Sequence, residues 1–103
     1  MKSQRVEALE EVVEDLRYAQ DFYLSWRADG ADYFKARFDE TVAWIEWNPE
    51  LFPCMFRSFR RAIIRNTYFA IFYVIEPDVT TLVAVVDLRQ RPSRIRKLTR
   101  TRR

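Results

Sequence analysis

The sequence predicts an α+β domain: an N-terminal antiparallel helical hairpin packed on a three- to four-stranded antiparallel sheet, followed by a basic C-terminal tail. Three observations predict it. Apolar residues recur at three- and four-residue steps through the first half of the chain. Runs rich in β-branched and aromatic residues occupy the second half as far as Leu88. Between the two lies a helix-stopping, turn-forming cluster, Asn48-Pro49 to Pro53.

Taken in order, Val6, Leu9, Val13, Leu16, Ala19, Tyr23 and Trp26 line one face of a first helix, with Glu7, Glu10, Glu11, Glu14, Arg17 and Gln20 between them. Ser3 is the candidate N-cap, and the acids crowd the end of the helix that its dipole favours. Asp29-Gly30, with the only glycine of the chain, is the expected end, Gly30 taking a left-handed C′ position. Phe34, Phe38, Thr41 or Val42, and Ile45 stripe a second helix, stopped by Asn48-Pro49. So short a link makes the helices an antiparallel pair. Trp26, Trp44 and Trp47 are read as packing residues at its ends and edges. Arg57 to Arg65 reads as a strand with many arginines, and Asn66-Thr67 as a tight turn. Tyr68 to Ile75 and Thr80 to Leu88 then form a hairpin around Glu76-Pro77-Asp78. The domain is expected over residues 1–92. The tail, 93–103, is a marginal helix or disordered if isolated.

The strand Tyr68 to Ile75 is apolar on both faces, so both faces need a cover. Tyr68, Ala70, Phe72 and Val74 point one way and Phe69, Ile71, Tyr73 and Ile75 the other. The helical hairpin is expected to cover Ile71 and Tyr73. The opposite set then forms an apolar patch ringed by arginines, of the kind that marks an interaction surface.

Composition narrows the chemistry. The chain has 103 residues, enough for one domain with a core. No apolar run approaches bilayer length, and the N-terminus runs into Glu-rich sequence instead of an apolar leader, so a cytoplasmic protein with no membrane partner is expected. Cys54 is alone and cannot form an internal disulfide; it is read as a small buried or half-buried residue. There is no histidine, which removes the usual neutral-pH base, the commonest metal ligand and any Ser-His or Cys-His pair. One glycine excludes a Gly-rich phosphate loop. No metal or organic cofactor is expected. Charge is divided unevenly: residues 1–50 carry six Lys/Arg against twelve Asp/Glu, and residues 51–103 carry twelve against three. From Arg89 to Arg103 there are eight basic residues and no acid. The C-terminal half is therefore suited to an anionic partner. Arg57, Arg60, Arg61, Arg65, Arg89 and Arg91 are candidates for gripping phosphate or carboxylate, since arginine binds both bidentately and does not titrate near neutral pH.

The succession Asp15-Leu16, Ala19 and Phe22-Tyr23, then Asn48-Pro49 with Phe52-Pro53, resembles the RelE/ParE toxin superfamily. Arg60-Arg61 to Tyr68-Phe69-Ala70-Ile71-Phe72-Tyr73 extends the likeness, as does the ending Val85-Val86-Asp87-Leu88-Arg89-Gln90-Arg91-Pro92. The resemblance spans roughly residues 6–92. It implies a small toxin of a bacterial toxin–antitoxin pair, of the kind known as plasmid stabilisation proteins, held silent by a cognate antitoxin. Tyr68, Ala70, Phe72 and Val74 would then be the antitoxin-binding set. Two departures stand out. Family members usually begin with a strand, for which only Met1 to Arg5 remain here. The ribosome-dependent ribonuclease branch carries an arginine where Ala70 stands and commonly a Tyr or His near its end, whereas nothing after Tyr73 is aromatic. Its catalytic basics would carry over to Arg60 or Arg61 and Arg89 or Arg91. The ParE-like branch, similar in its Tyr-x-Ala-Ile-Phe-Tyr strand, acts by poisoning DNA gyrase. Three readings follow: a ParE-like gyrase inhibitor, a RelE-like mRNA interferase acting on the ribosome, and a non-toxic member or basic nucleic-acid-binding module.

Overall fold

The computed structural model describes residues 3–103. Its centre is an antiparallel meander of β3 (Phe59–Ile63), β4 (Phe69–Ile75) and β5 (Thr80–Asp87). Two short strands, β1 (Val6–Ala8) and β2 (Cys54–Phe56), extend it to five strands in the order β1-β5-β4-β3-β2. The sheet is mixed: β1 runs parallel to β5, with Val6 opposite Thr80 and Ala8 opposite Leu82. Helices α1 (Glu11–Leu24) and α2 (Gly30–Trp47) form the hairpin on one face, and α3 (Pro92–Arg102) lies on the other.

The meander follows the sequence closely. Asn66 takes φ of 60° in the β3–β4 turn, a conformation that asparagine tolerates better than most residues. Glu76 N–H donates to the Val79 carbonyl at 2.9 Å and closes the Pro77-Asp78 turn. On β4, Phe69, Ile71 and Tyr73 enter the core beneath the helical hairpin with Val12, Ala19, Phe34, Phe38 and Ile45. The face expected to be covered by the helices is the one they cover. On β5 the register shifts at Val83, so that Phe72 opposes Ala84 while Tyr73 opposes Leu82. This bulge sends Val83 and Ala84 to the same side.

Several expectations are corrected. Val6 opens a strand, and the first helix begins at Glu11 after Glu10; Ser3 is exposed coil and caps nothing. Val6 and Leu9 fit a helical period, yet the open edge of β5 captures them, and Leu9 N–H donates to the Leu82 carbonyl at 3.0 Å. Long-range pairing outweighs local periodicity here. Of the stretch Met1 to Arg5 expected to hold any initial strand, Met1 and Lys2 lie outside the described residues, and the strand itself falls just after it. The first helix ends at Leu24, and Gly30 is the first residue of α2 without positive φ. Glycine is required there by close approach: a Cβ would lie 2.0 Å from the Tyr23 carbonyl oxygen. The arginine-rich strand is shorter than Arg57–Arg65, because Arg57 and Ser58 form the turn from β2, Arg57 with φ of 50°. Cys54 is exposed on β2, its Sγ 3.1 Å from the Arg57 carbonyl. Trp26, Trp44 and Trp47 are all exposed, Trp26 to 72%.

The largest correction concerns the tail. Residues 92–102 form a helix whose Ile95 and Thr99 are buried and whose Leu98 packs on the same cluster. Pro92 stands at the first helical turn, where its missing N–H costs nothing. The helix would be marginal alone at this length. Burial against Phe72, Val83, Ala84 and Val86 supplies its stability.

Candidate functional site

The six candidate arginines do not converge. Arg60 and Arg61 are neighbours on β3, so they leave opposite faces of the sheet. Arg60 stands across from Tyr73 and donates from Nη1 to the carbonyls of Glu50 (3.3 Å) and Phe52 (2.7 Å), tying down the α2–β2 connection. Arg61 stands across from Phe72, on the α3 side. It borders a cleft of about 190 Å³ with Phe56, Phe72, Gln90, Ile95 and Arg96, and its buried Nε has no hydrogen-bond partner among the described residues. Arg65 forks onto the Glu40 carboxylate with Nε and Nη2. Arg57 lies in a separate cleft with Arg100 and Arg103. Arg89 is paired with Asp87, and Arg91 is the exposed residue that leads into α3. Arg57, Arg61 and Arg65 thus line three different clefts.

The apolar strand set divides as well. Ala70, Phe72 and Val74 are buried under α3 with Phe59 and Ile95, so the exposed patch expected there does not exist in this conformation. The chain supplies both covers of β4. Tyr68, which precedes the strand, is 49% exposed and belongs to a different surface.

That surface was not singled out from the sequence. Tyr18, Phe22 and Trp26 follow each other at four-residue steps along α1 and its end, a ridge beside the core stripe. Their spacing was visible, but Trp26 reads equally well as a continuation of the Tyr23 stripe. Phe22 packs edge-on against Tyr68 at 6.3 Å and tilted against Trp26 at 6.1 Å. The Arg89 guanidinium lies over both Tyr68 (4.3 Å) and Phe22 (4.9 Å). Asp87 holds Arg89 in place by two contacts, Oδ1 with Nε at 3.0 Å and Oδ2 with Nη2 at 2.6 Å. A concavity of about 410 Å³ opens between Phe22, Trp26, Tyr33 and Tyr68, with Arg27 and Asn66 at its border. Tyr33 Oη donates to the Asn66 carbonyl at 2.9 Å, and Tyr68 N–H donates to Tyr23 Oη at 2.9 Å, so the walls are braced from three elements.

Hydrogen bonds and burial fix the charge state of the groups at and beneath this surface. The Arg89 hydrogen bonds hold the Asp87 carboxyl below the usual carboxylate range and raise Arg89 in return. Burial raises the Tyr23 phenol, opposed by the Tyr68 N–H. Burial also pushes Tyr73 up to about 12 against a smaller pull from Arg60, and its hydroxyl donates to the Pro49 carbonyl at 2.6 Å. Neither phenol can serve as a base near neutral pH. Rigid aromatic rings with a clamped arginine have the composition of a protein-binding hot spot.

The fold is that of a small α+β domain with helices on both faces of a mixed sheet. No model of a known protein family and no curated protein matches the chain. No helix among the described residues is long and apolar enough to cross a membrane.

Proposed function

We propose that the chain is a ParE-like toxin of the RelE/ParE superfamily, which inhibits DNA gyrase by binding it and is silenced by a cognate antitoxin. The order of a helical hairpin followed by an antiparallel meander agrees with the resemblance. The observation that carries the reading is the Phe22–Trp26–Tyr68–Arg89 surface, in which Trp26 and Tyr68 are exposed around a half-buried Phe22 and Asp87 holds Arg89, as a protein partner's anchor site would need. An antitoxin that covers this surface would keep the toxin from its target. The ribonuclease alternative is weaker because Arg60 and Arg61 face opposite ways and Arg60 is spent on main-chain carbonyls.

Gyrase supercoiling assays with purified protein test the reading. The wild type should inhibit, and Trp26→Ala and Tyr68→Ala should each weaken inhibition by about thirtyfold, the equivalent of roughly 2 kcal/mol at a hot spot. Supercoiling left untouched by the wild type, together with new mRNA ends at ribosomal A sites after induction, would replace it with the interferase reading.

A further inference from the structure

We infer that the outward face of α3 is a binding surface for the phosphate backbone of double-stranded DNA, separate from the aromatic surface and independent of the gyrase reading. Ile95, Leu98, Thr99 and Arg102 turn toward the sheet. The outer side is left with Arg94, Arg96, Lys97 and Arg100, all exposed. Among the described residues none of these four lies within ion-pair distance of a carboxylate, so the face carries four unpaired cations within about two turns of helix. The basic surface continues off the helix. Arg100 shares a cleft with Arg57, and Arg96 borders the cleft that holds the unpartnered Arg61 Nε. The acid at this border, Glu76, is occupied by Arg103 and by the Thr81 hydroxyl, which draw its carboxyl below the usual range.

A row of unpaired cations is costly to hold together through self-repulsion, and a polyanion relieves it. The chemistry of the face selects among polyanions. It presents no apolar side chain to insert into a bilayer, because α3 has turned Ile95 and Leu98 inward. It lacks the apolar or aromatic core that anchors a protein interface. It has no aromatic ring on which unpaired bases could stack, since residues 74–103 contain none. What remains is contact with phosphates, for which guanidinium forks are suited. A helix fits at the rim of the B-form major groove, about 12 Å wide, while A-form RNA narrows that groove.

The test is fluorescence anisotropy of the full chain with a labelled duplex DNA of arbitrary sequence, titrated at several salt concentrations. Wild-type protein should bind with a slope of log K against log salt of about −4, as for four to five phosphate contacts. Arg94→Glu/Lys97→Glu/Arg100→Glu should bind at least tenfold more weakly, with a slope near −1 and an unchanged circular-dichroism melt. If that variant fails to fold, the glutamine triple variant must show the same direction of loss. Arg94→Lys/Arg96→Lys/Arg100→Lys, which keeps the charge, should stay within about threefold of wild type by the electrostatic term. Arg27→Glu, on the aromatic surface, should leave DNA binding unchanged. The inference is overturned by absence of DNA binding at low salt, by equal binding of the glutamate variant, by tenfold preference for duplex RNA, or by α3-dependent capture on phosphatidylserine vesicles without DNA binding.

Discussion

Arg102→Ala should destabilise the domain by about 2–3 kcal/mol, because Arg102 closes an edge of the sheet that no strand covers. Strand β1 pairs with β5 only as far as Leu82. Beyond it, the Val83 carbonyl accepts from Arg102 Nη1 at 3.0 Å and the Val85 N–H donates to Asp15 Oδ2 at 3.0 Å. Asp15 and Arg102 then meet each other, Nη1 to Oδ2 at 2.6 Å and Nη2 to Oδ1 at 3.0 Å. Both side chains are only 14% exposed. The pair raises Arg102 through the Asp15 hydrogen bonds, with burial opposing. Removing one partner of a fully buried pair costs about 3–5 kcal/mol. Some water can reach this edge, so the lower figure applies, and it lowers Tm by roughly 10–20 °C in a domain of this size. Asp15→Asn keeps an acceptor for Val85 and should cost about half as much. Urea unfolding followed by circular dichroism measures all of these, and the double variant should show at least about 1 kcal/mol of coupling. Arg102→Lys should recover less than half of the loss, since an ammonium cannot fork onto both oxygens. A cost for Arg102→Ala below about 0.5 kcal/mol, or strict additivity in the double variant, would refute the edge-closing role.

Four further substitutions have defined outcomes. Gly30→Ala places a Cβ against main-chain atoms of Tyr23 that cannot swing aside, and should cost about 3 kcal/mol or more in thermal unfolding. Phe72→Asp and Tyr68→Asp should separate sharply: the first puts a carboxylate under α3 at a site 4% exposed and should unfold the protein, while the second should change stability by less than about 1 kcal/mol. Asp87 has a folded-state value held low by Arg89, so its contribution to stability is complete above its unfolded value of about 4 and disappears as pH falls through the lowered one. Stability of Asp87→Asn, measured by urea titration from pH 5 to 2, should therefore fall less than that of wild type.

The parts of the fold that were legible in the sequence are those governed by local signals. Phe34, Phe38 and Ile45 marked α2 by spacing, Asn48-Pro49 marked its end, and Pro77-Asp78 marked the β4–β5 turn. The doubly apolar β4 announced that two layers must cover it. The rest depended on partners distant in sequence. Val6–Ala8 became a strand because β5 had a free edge, and Pro92–Arg102 became a packed helix because Phe72 and Val83 offered a surface. Neither strand β1 nor helix α3 has a strong signature of its own. As the lone glycine after a helical stripe, Gly30 suggests positive φ, yet it is needed for its missing side chain. Of the candidate residues, Arg89 and Tyr68 meet on one surface. Arg60 and Arg61 were separable from sequence alone, since adjacent strand positions face opposite ways.

The clamp on β5 also ties distant parts of the chain together. The outer edge of β5 is satisfied in its first half by residues 6–9 and in its second half by Asp15 and Arg102. The helical hairpin and the β3–β4–β5 meander use near neighbours, whereas the β1–β5 pairing and the Asp15–Arg102 ion pair join residues farther apart than the meander is long. The second half of that edge therefore stays open until the last turn of α3 docks. Release of that turn would be the first step back, exposing one backbone edge and the apolar floor beneath α3 together.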